Sequence, residues 1–383
     1  MWGNAVKVAR LRGIDIKLDA SWFLIAGLIV WSLATAYFPD QMPGTDTATL
    51  IVSAVIAMLG LFASLVLHEL AHAEIAGHFG LRISGITLFL FGGVAELQSE
   101  PVSGKSEFWI AIAGPIASFC LALAFWFSAL VAELLSVPDP ARVVLSYLAV
   151  LNLVLFLFNL LPAFPMDGGR VLRAWLWTRS GDLLAATRRA VGVSAAFAYG
   201  FMGLGLYAAF TGTVAAGLWP ILIGLFVLAT SRAALAQLET KSALHGRTVA
   251  DLMTRNPWTA HPEQTLSVLV NRVFLEHGIS FAPVVENGAL LGYVDLQIVR
   301  KIDRENWTTT TVDDVIESIG PDNTVPSQMA GLDLMSLIFK TGKRKFLVAD
   351  RHRLIGVITL SDVLAHLSVF REVAASSVHK MVK

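Results

Sequence analysis

The stretch "SLVLHELAHAEIAG", residues 64–77, lies inside an apolar run that begins near Leu50. A helix needs about 20 apolar residues to cross a bilayer. Titratable side chains at that depth are costly and are functional by default. The fold therefore turns on why a segment suited to lipid carries His68, Glu69 and His72.

The surrounding composition puts that segment in a membrane domain. The 383-residue chain is 55% hydrophobic and only 15% charged, where a soluble domain carries about 25% charged residues. The apolar character is confined to the first 236 residues or so, and the remainder reads as water-soluble. Six spans are expected, at 22–38, 50–79, 108–135, 143–161, 185–210 and 214–235. Glycines in the last two suit close packing of membrane helices. Lys and Arg collect before the first span, between the second and third, between the fourth and fifth, and after the sixth. By the positive-inside rule both termini are then cytoplasmic, and the histidines lie toward the cytoplasmic end of the second span.

The N-terminal residues lack an apolar core followed by a small-residue cleavage site, so no signal peptide is expected there. The net charge is zero and no basic run suggests nucleic acid. The single cysteine, Cys120, excludes an intrachain disulfide and reads as a small packed residue. Two segments depart from helical patterning: "GIDIKLD" (13–19) and "RISGITLFLFGGVAEL" (82–97). Alternation and β-branched residues read as strands. An open edge cannot face lipid, so these strands belong against protein or at the interface.

His68 and His72 are four residues apart and share a helix face, where two imidazoles can hold one cation. Glu69 lies beside them as a general base for a water, the H-E-x-x-H arrangement of peptide hydrolysis. The other reading is a pair of satisfied histidines or a proton relay. A catalytic zinc needs a third protein ligand. "NLLPAFPMDGGRVLRAW" (159–175) offers Asp167, between helix-breaking Pro162 and Pro165 and the pair Gly168 and Gly169. Asp167 reads as that ligand or as a helix cap.

"HELAH" together with "NLLPAFPMDGGR", placed across six spans, resembles the site-2 protease family of intramembrane zinc metalloproteases over about residues 10–235. The resemblance implies that His68, His72 and Asp167 bind one Zn2+ and that Glu69 is the catalytic base. It also implies that Asn159 helps to bind substrate. "AGPIAS" (113–118) is similar to the family's glycine-proline motif, which often has Asn where this chain has Ser118, so the resemblance leaves a direct polar role for Ser118 open. Glu74 and His78 match no family ligand and are expected to be structural or interfacial.

The soluble part contains two similar segments, 248–305 and 311–370. Each reads as an opening loop, an amphipathic helix, two short strands around a turn, and a closing helix. This resembles a CBS pair, and the resemblance implies a cytoplasmic α+β tandem with adenine-nucleotide clefts and a homodimer through the pair. In "GVITLSDVL" Thr359 would donate to a phosphate of ATP or AMP, and Asp362 would accept from ribose hydroxyls. Asp362 equally suits a helix cap. The first copy has Asp295 and Ile298 at those places, so its cleft is expected to be weak or lost. Lys343, Arg344 and Lys345 read as phosphate contacts or as solvated surface.

The expected protein is thus a polytopic α-helical membrane protein with membrane-associated strands (1–240) and a CBS pair (241–383). The expected activity is endoproteolysis of membrane-protein segments within the cell-membrane bilayer. A CBS-regulated transporter and an inactive zinc-binding sensor are the alternatives. Glu69 separates the first alternative from a protease, since ion transport needs no base beside a ligand.

Overall fold

The computed structural model describes residues 5–81, 83–89, 92–97, 100–350 and 353–381. Arg82, Leu90 and Phe91 of the expected strand segment lie outside the described residues, as do Arg351 and His352 of the second repeat. The chain divides into two units, Met1–Leu235 and Ala236–Lys383.

Among the described residues, six helices are long and apolar enough to cross a membrane: α1 (Ala20–Gln41), α2 (Thr47–His78), α3 (Gly104–Leu134), α4 (Asp139–Asn159), α6 (Leu183–Thr211) and α7 (Val214–Leu244). A shorter helix, α5 (Asp167–Ser180), stands between α4 and α6. The prolines and paired glycines of the sequence predict only broken backbone there. Side-chain caps start several of these helices where hydroxyls or carboxylates can meet the first free N–H groups. Asp46 accepts from Thr49 N–H at the start of α2. Ser103 and Ser106 cap α3 reciprocally. Asp182 accepts from Leu184 and Ala185 N–H at the start of α6.

Small residues allow close helix approach. A Cβ on Gly60 of α2 would lie 2.7 Å from Leu148 of α4, and one on Gly205 of α6 would lie 2.7 Å from the Gly217 carbonyl of α7. Cys120 is exposed on α3, contrary to its reading as a packed residue, because this part of α3 turns an apolar face outward with Ile116, Phe119 and Leu123.

A four-stranded sheet, β1 (Val6–Leu11), β2 (Ile14–Leu18), β3 (Ile83–Phe89) and β4 (Gly92–Leu97), lies in that order. β2 and β3 run parallel, and the other neighbours are antiparallel. Ile86 and Leu88 of β3 are buried in a cluster with Ala26, Met58 and Phe62 of α1 and α2. This pins the sheet to the histidine helix. Ile86 is paired on both sides, with Ile16 and Ala95. Among the described residues, the free edge of the expected strand segment therefore belongs to β4, not β3.

In the second unit, the first repeat contains the helix Leu266–Leu275 and strands β6 (Phe281–Glu286) and β7 (Ala289–Asp295). The second contains the helix Gly331–Thr341, strands β10 (Lys345–Asp350) and β11 (Arg353–Thr359), and the closing helix Leu360–Met381. The repeats exchange short strands. β5 (Thr254–Arg255), from the start of the first, pairs with β11 of the second. β8 (Glu317–Ser318), from the start of the second, pairs with β7 of the first. Strand β9 (Thr324–Val325) completes the second sheet beside β10. Each repeat has its own apolar core. Phe281, Leu290, Leu347 and Val357 form a third cluster that joins them.

Candidate metal centre

The two histidines occupy successive turns of α2 and point the same way, as their spacing requires. Asp167 arrives from a different part of the chain. α4 ends at Asn159, and a tight turn with a cis peptide before Pro165 leads into α5, whose first residue is Asp167. The turn is held by Ser194 of α6, which accepts from Phe164 N–H at 2.9 Å. The paired glycines follow for a steric reason: a Cβ on Gly168 would fall 2.5 Å from the Leu160 carbonyl carbon, and one on Gly169 would fall 2.6 Å from that of Ala163.

The result is a cluster of three candidate ligands. Asp167 Oδ2 lies 3.1 Å from His68 Nε2 and 3.2 Å from His72 Nε2, and the two Nε2 atoms are 3.2 Å apart. All three residues are buried, 4%, 6% and 8% exposed. The far nitrogens of both rings are engaged. His72 Nδ1 donates to the Ile110 carbonyl at 2.6 Å, which leaves a lone pair on its Nε2. His68 Nδ1 is 2.9 Å from Ser118 Oγ. Partners of this kind set the tautomer and orientation of metal-binding imidazoles.

Both partners come from α3, as does Gly114, which lies against the rings. A Cβ there would be 2.5 Å from His68 Nε2 and 2.6 Å from His72 Cε1. Two imidazole nitrogens and one carboxylate oxygen close together, beside a wall that admits no side chain, are a donor set that would hold a single zinc ion.

Glu69 follows His68 on α2 and is partly buried. Its side chain packs beneath β4, where a Cβ on Gly93 would be 2.9 Å from Glu69 Cγ. The candidate base therefore lies against β4, which among the described residues is the end strand of the sheet. Asn159, partly buried at the end of α4, donates to the Leu155 carbonyl of its own helix at 3.0 Å. Glu74 is an ion-pair partner of Arg12 at 2.8 Å, which ties the β1–β2 turn to α2, and His78 Nδ1 contacts the Glu74 carbonyl. Both thus have structural contacts, as expected.

Ser118, Gly114 and Gly93 are the parts that sequence reading passed over as contacts. A small polar residue four positions after a glycine, in an otherwise apolar span, was the available signal for Ser118.

In the second unit, Thr359 N–H and hydroxyl both donate to Asp362 Oδ2 at 2.8 Å, which caps the closing helix. Among the described residues, Asp362 Oδ1 has only a 3.5 Å contact from the Thr254 hydroxyl. Asp295 caps a short helix and also receives Lys345 Nζ at 3.3 Å. Lys345 is therefore part of an internal ion pair rather than free surface.

The profile of peptidase family M50 matches residues 56–141 and 136–203, and that of the CBS domain matches 249–304. The chain is 35% identical to Rip3 of Mycobacterium tuberculosis over 96% of its own length and 94% of that protein. It is 28% identical to zinc metalloprotease MJ0392 of Methanocaldococcus jannaschii, over 95% of this chain and 96% of the relative. Among solved structures, a site-2 protease from Methanocaldococcus jannaschii matches with 28% identity and a TM-score of 0.41, covering 60% of this chain and 94% of that one.

Proposed function

This chain is a multi-pass membrane protein of peptidase family M50, the site-2 protease family, and we propose that it is a zinc endopeptidase that cuts membrane-protein segments within the bilayer. The observation that carries the reading is the meeting of His68, His72 and Asp167 at one buried point, with Glu69 one residue from the first ligand. A zinc ion there supplies Lewis acidity, polarising a scissile carbonyl and lowering the pKa of a water.

The chain's own groups do the rest. Glu69 takes a proton from the attacking water and delivers it to the leaving amine nitrogen. Ser118 and the Ile110 carbonyl keep both Nε2 atoms turned inward. A helical substrate hides its carbonyls in its own hydrogen bonds and has to unwind first. The free edge of β4 beside Glu69 receives the unwound segment by strand addition, and Asn159 at the end of α4 is the candidate for a further substrate contact.

The basic loops support cytoplasmic termini. Asp362 Oδ1, nearly free of partners among the described residues, supports ATP or AMP binding at the Thr359–Asp362 cleft. Leu275 and Phe339, 70% and 80% exposed at matching positions of the two repeat helices, support a homodimer through the CBS pair.

The decisive experiment reconstitutes the full chain with single-span membrane proteins and maps any cut by mass spectrometry. Glu69→Gln should keep its zinc and lose about 10²–10⁴ in rate. Near-parental turnover would remove Glu69 from the mechanism. No cleavage by the parent, with zinc bound, would favour the inactive sensor.

A further inference from the structure

Glu107 is a carboxylate in the first turn of an apolar membrane helix, and none of its surface is exposed. The helix N-terminus favours a negative charge, but an exposed cap would serve that purpose without burial. Glu107 instead faces α5. Arg173 grips its Oε1 with Nη2 and with Nε at 2.9 Å, and Arg170 Nε lies 4.0 Å from the same oxygen. Oε2 is buried without a hydrogen-bond partner among the described residues. Burying a charge in this incomplete way is unfavourable unless it is paired, and a pair of matching apolar side chains often stabilises as well or better.

The ion pair sits on a close helix contact. Gly104, three residues before Glu107, lets α3 approach α5: a Cβ there would lie 2.6 Å from the Ala174 carbonyl. The Arg173 guanidinium also lies over the Phe164 ring, 5.3 Å from its centroid, and so reaches the turn that delivers Asp167. Asp167 is the first residue of that same α5.

One stripe of α3 therefore serves all three ligands. Ser118 contacts His68, the Ile110 carbonyl contacts His72, and Glu107 reaches the Asp167 helix through Arg173. We infer that the Glu107–Arg173 pair is a positioning latch that sets Asp167 against the two histidines and thereby sets metal affinity. The inference rests on the reading of His68, His72 and Asp167 as metal ligands. The latch touches neither substrate nor metal. Its charge supplies direction: the Arg173 fork on one carboxylate oxygen fixes the rotation of α5, which apolar packing at the same place would leave less defined.

The test uses the full chain in detergent, with zinc affinity from chelator competition, the absorption spectrum of the cobalt-substituted protein, and thermal unfolding. Glu107→Gln is expected to weaken zinc binding about tenfold and to change the cobalt spectrum. The double variant Glu107→Leu/Arg173→Met removes both charges. It is expected to recover the parental melting temperature while its zinc affinity and spectrum stay altered. A merely structural pair predicts that stability and affinity return together.

That joint recovery, a double variant that fails to fold, or a Glu107→Gln protein that binds zinc within twofold of the parent would each overturn the latch. If the parent itself takes up no zinc or cobalt, the ligand reading fails instead, and the two failures are told apart by that control.

Discussion

Replacing Gly114 by Ala should separate folding from metal binding. The new methyl would fall nearest His72 Nε2 and 2.5 Å from His68 Nε2, whereas ordinary contact begins at 3.4 Å. The ring has to retreat by about 0.9 Å, several times the roughly 0.2 Å tolerance of a metal–ligand distance. Overpacking of this kind costs about 1–3 kcal/mol. The better helix propensity of Ala offsets about 1 kcal/mol of that, so the fold survives with a net loss of about 2 kcal/mol at most. The ligands have no such compensation. Zinc affinity should drop by at least about 100-fold, the upper end of what losing a ligand's supporting partner costs. Metal analysis of detergent-purified protein, chelator competition and a thermal melt on the same sample measure both quantities. A Gly114→Ala protein that keeps one equivalent of zinc with Kd within threefold of the parent would refute the close approach of α3 to the imidazoles.

Ser118→Ala should weaken zinc binding about 10- to 100-fold by freeing His68 Nδ1, with chelator competition as the measurement. Gly93→Ala should crowd Glu69, so cleavage should fall while zinc content in metal analysis stays parental. Hydrogen bonds from Thr248 and Thr311 hold the exposed carboxyls of Asp251 and Asp314 below the ordinary 3.8. A carboxyl whose folded pKa is depressed stabilises the fold above its unfolded pKa and loses that contribution as the pH falls. The melting temperature of the soluble unit should therefore drop below about pH 4, and less steeply in Asp251→Ala/Asp314→Ala.

The spans and the two histidines were legible because hydropathy sums along the chain and helical spacing is local. Asp167 was legible as a candidate through the proline and glycine pattern around it, although the same pattern concealed α5. Its glycines read as breaks, whereas they admit the Leu160 and Ala163 carbonyls against the first turn of a continuous helix. β1 was missed because all six of its residues are exposed, so no buried face printed an alternation. Ser118 and Glu107 were missed because their partners lie 50 and 66 residues away, and a single polar residue in a span carries no record of what it touches. In the soluble unit, the repeat announced two copies of one motif, but the trade of β5 and β8 between them depends on tertiary pairing alone.

That trade makes the two repeats inseparable. A chain cut between them strips β8 from the first sheet and leaves the second without β5. Each half would then expose a bare strand edge, a template for pairing with other chains. Tryptic nicking of the connection, or a gene truncated near residue 305, should therefore yield aggregates or interlocked dimers instead of two independent modules. Chemical denaturation of the intact unit should proceed in one cooperative step.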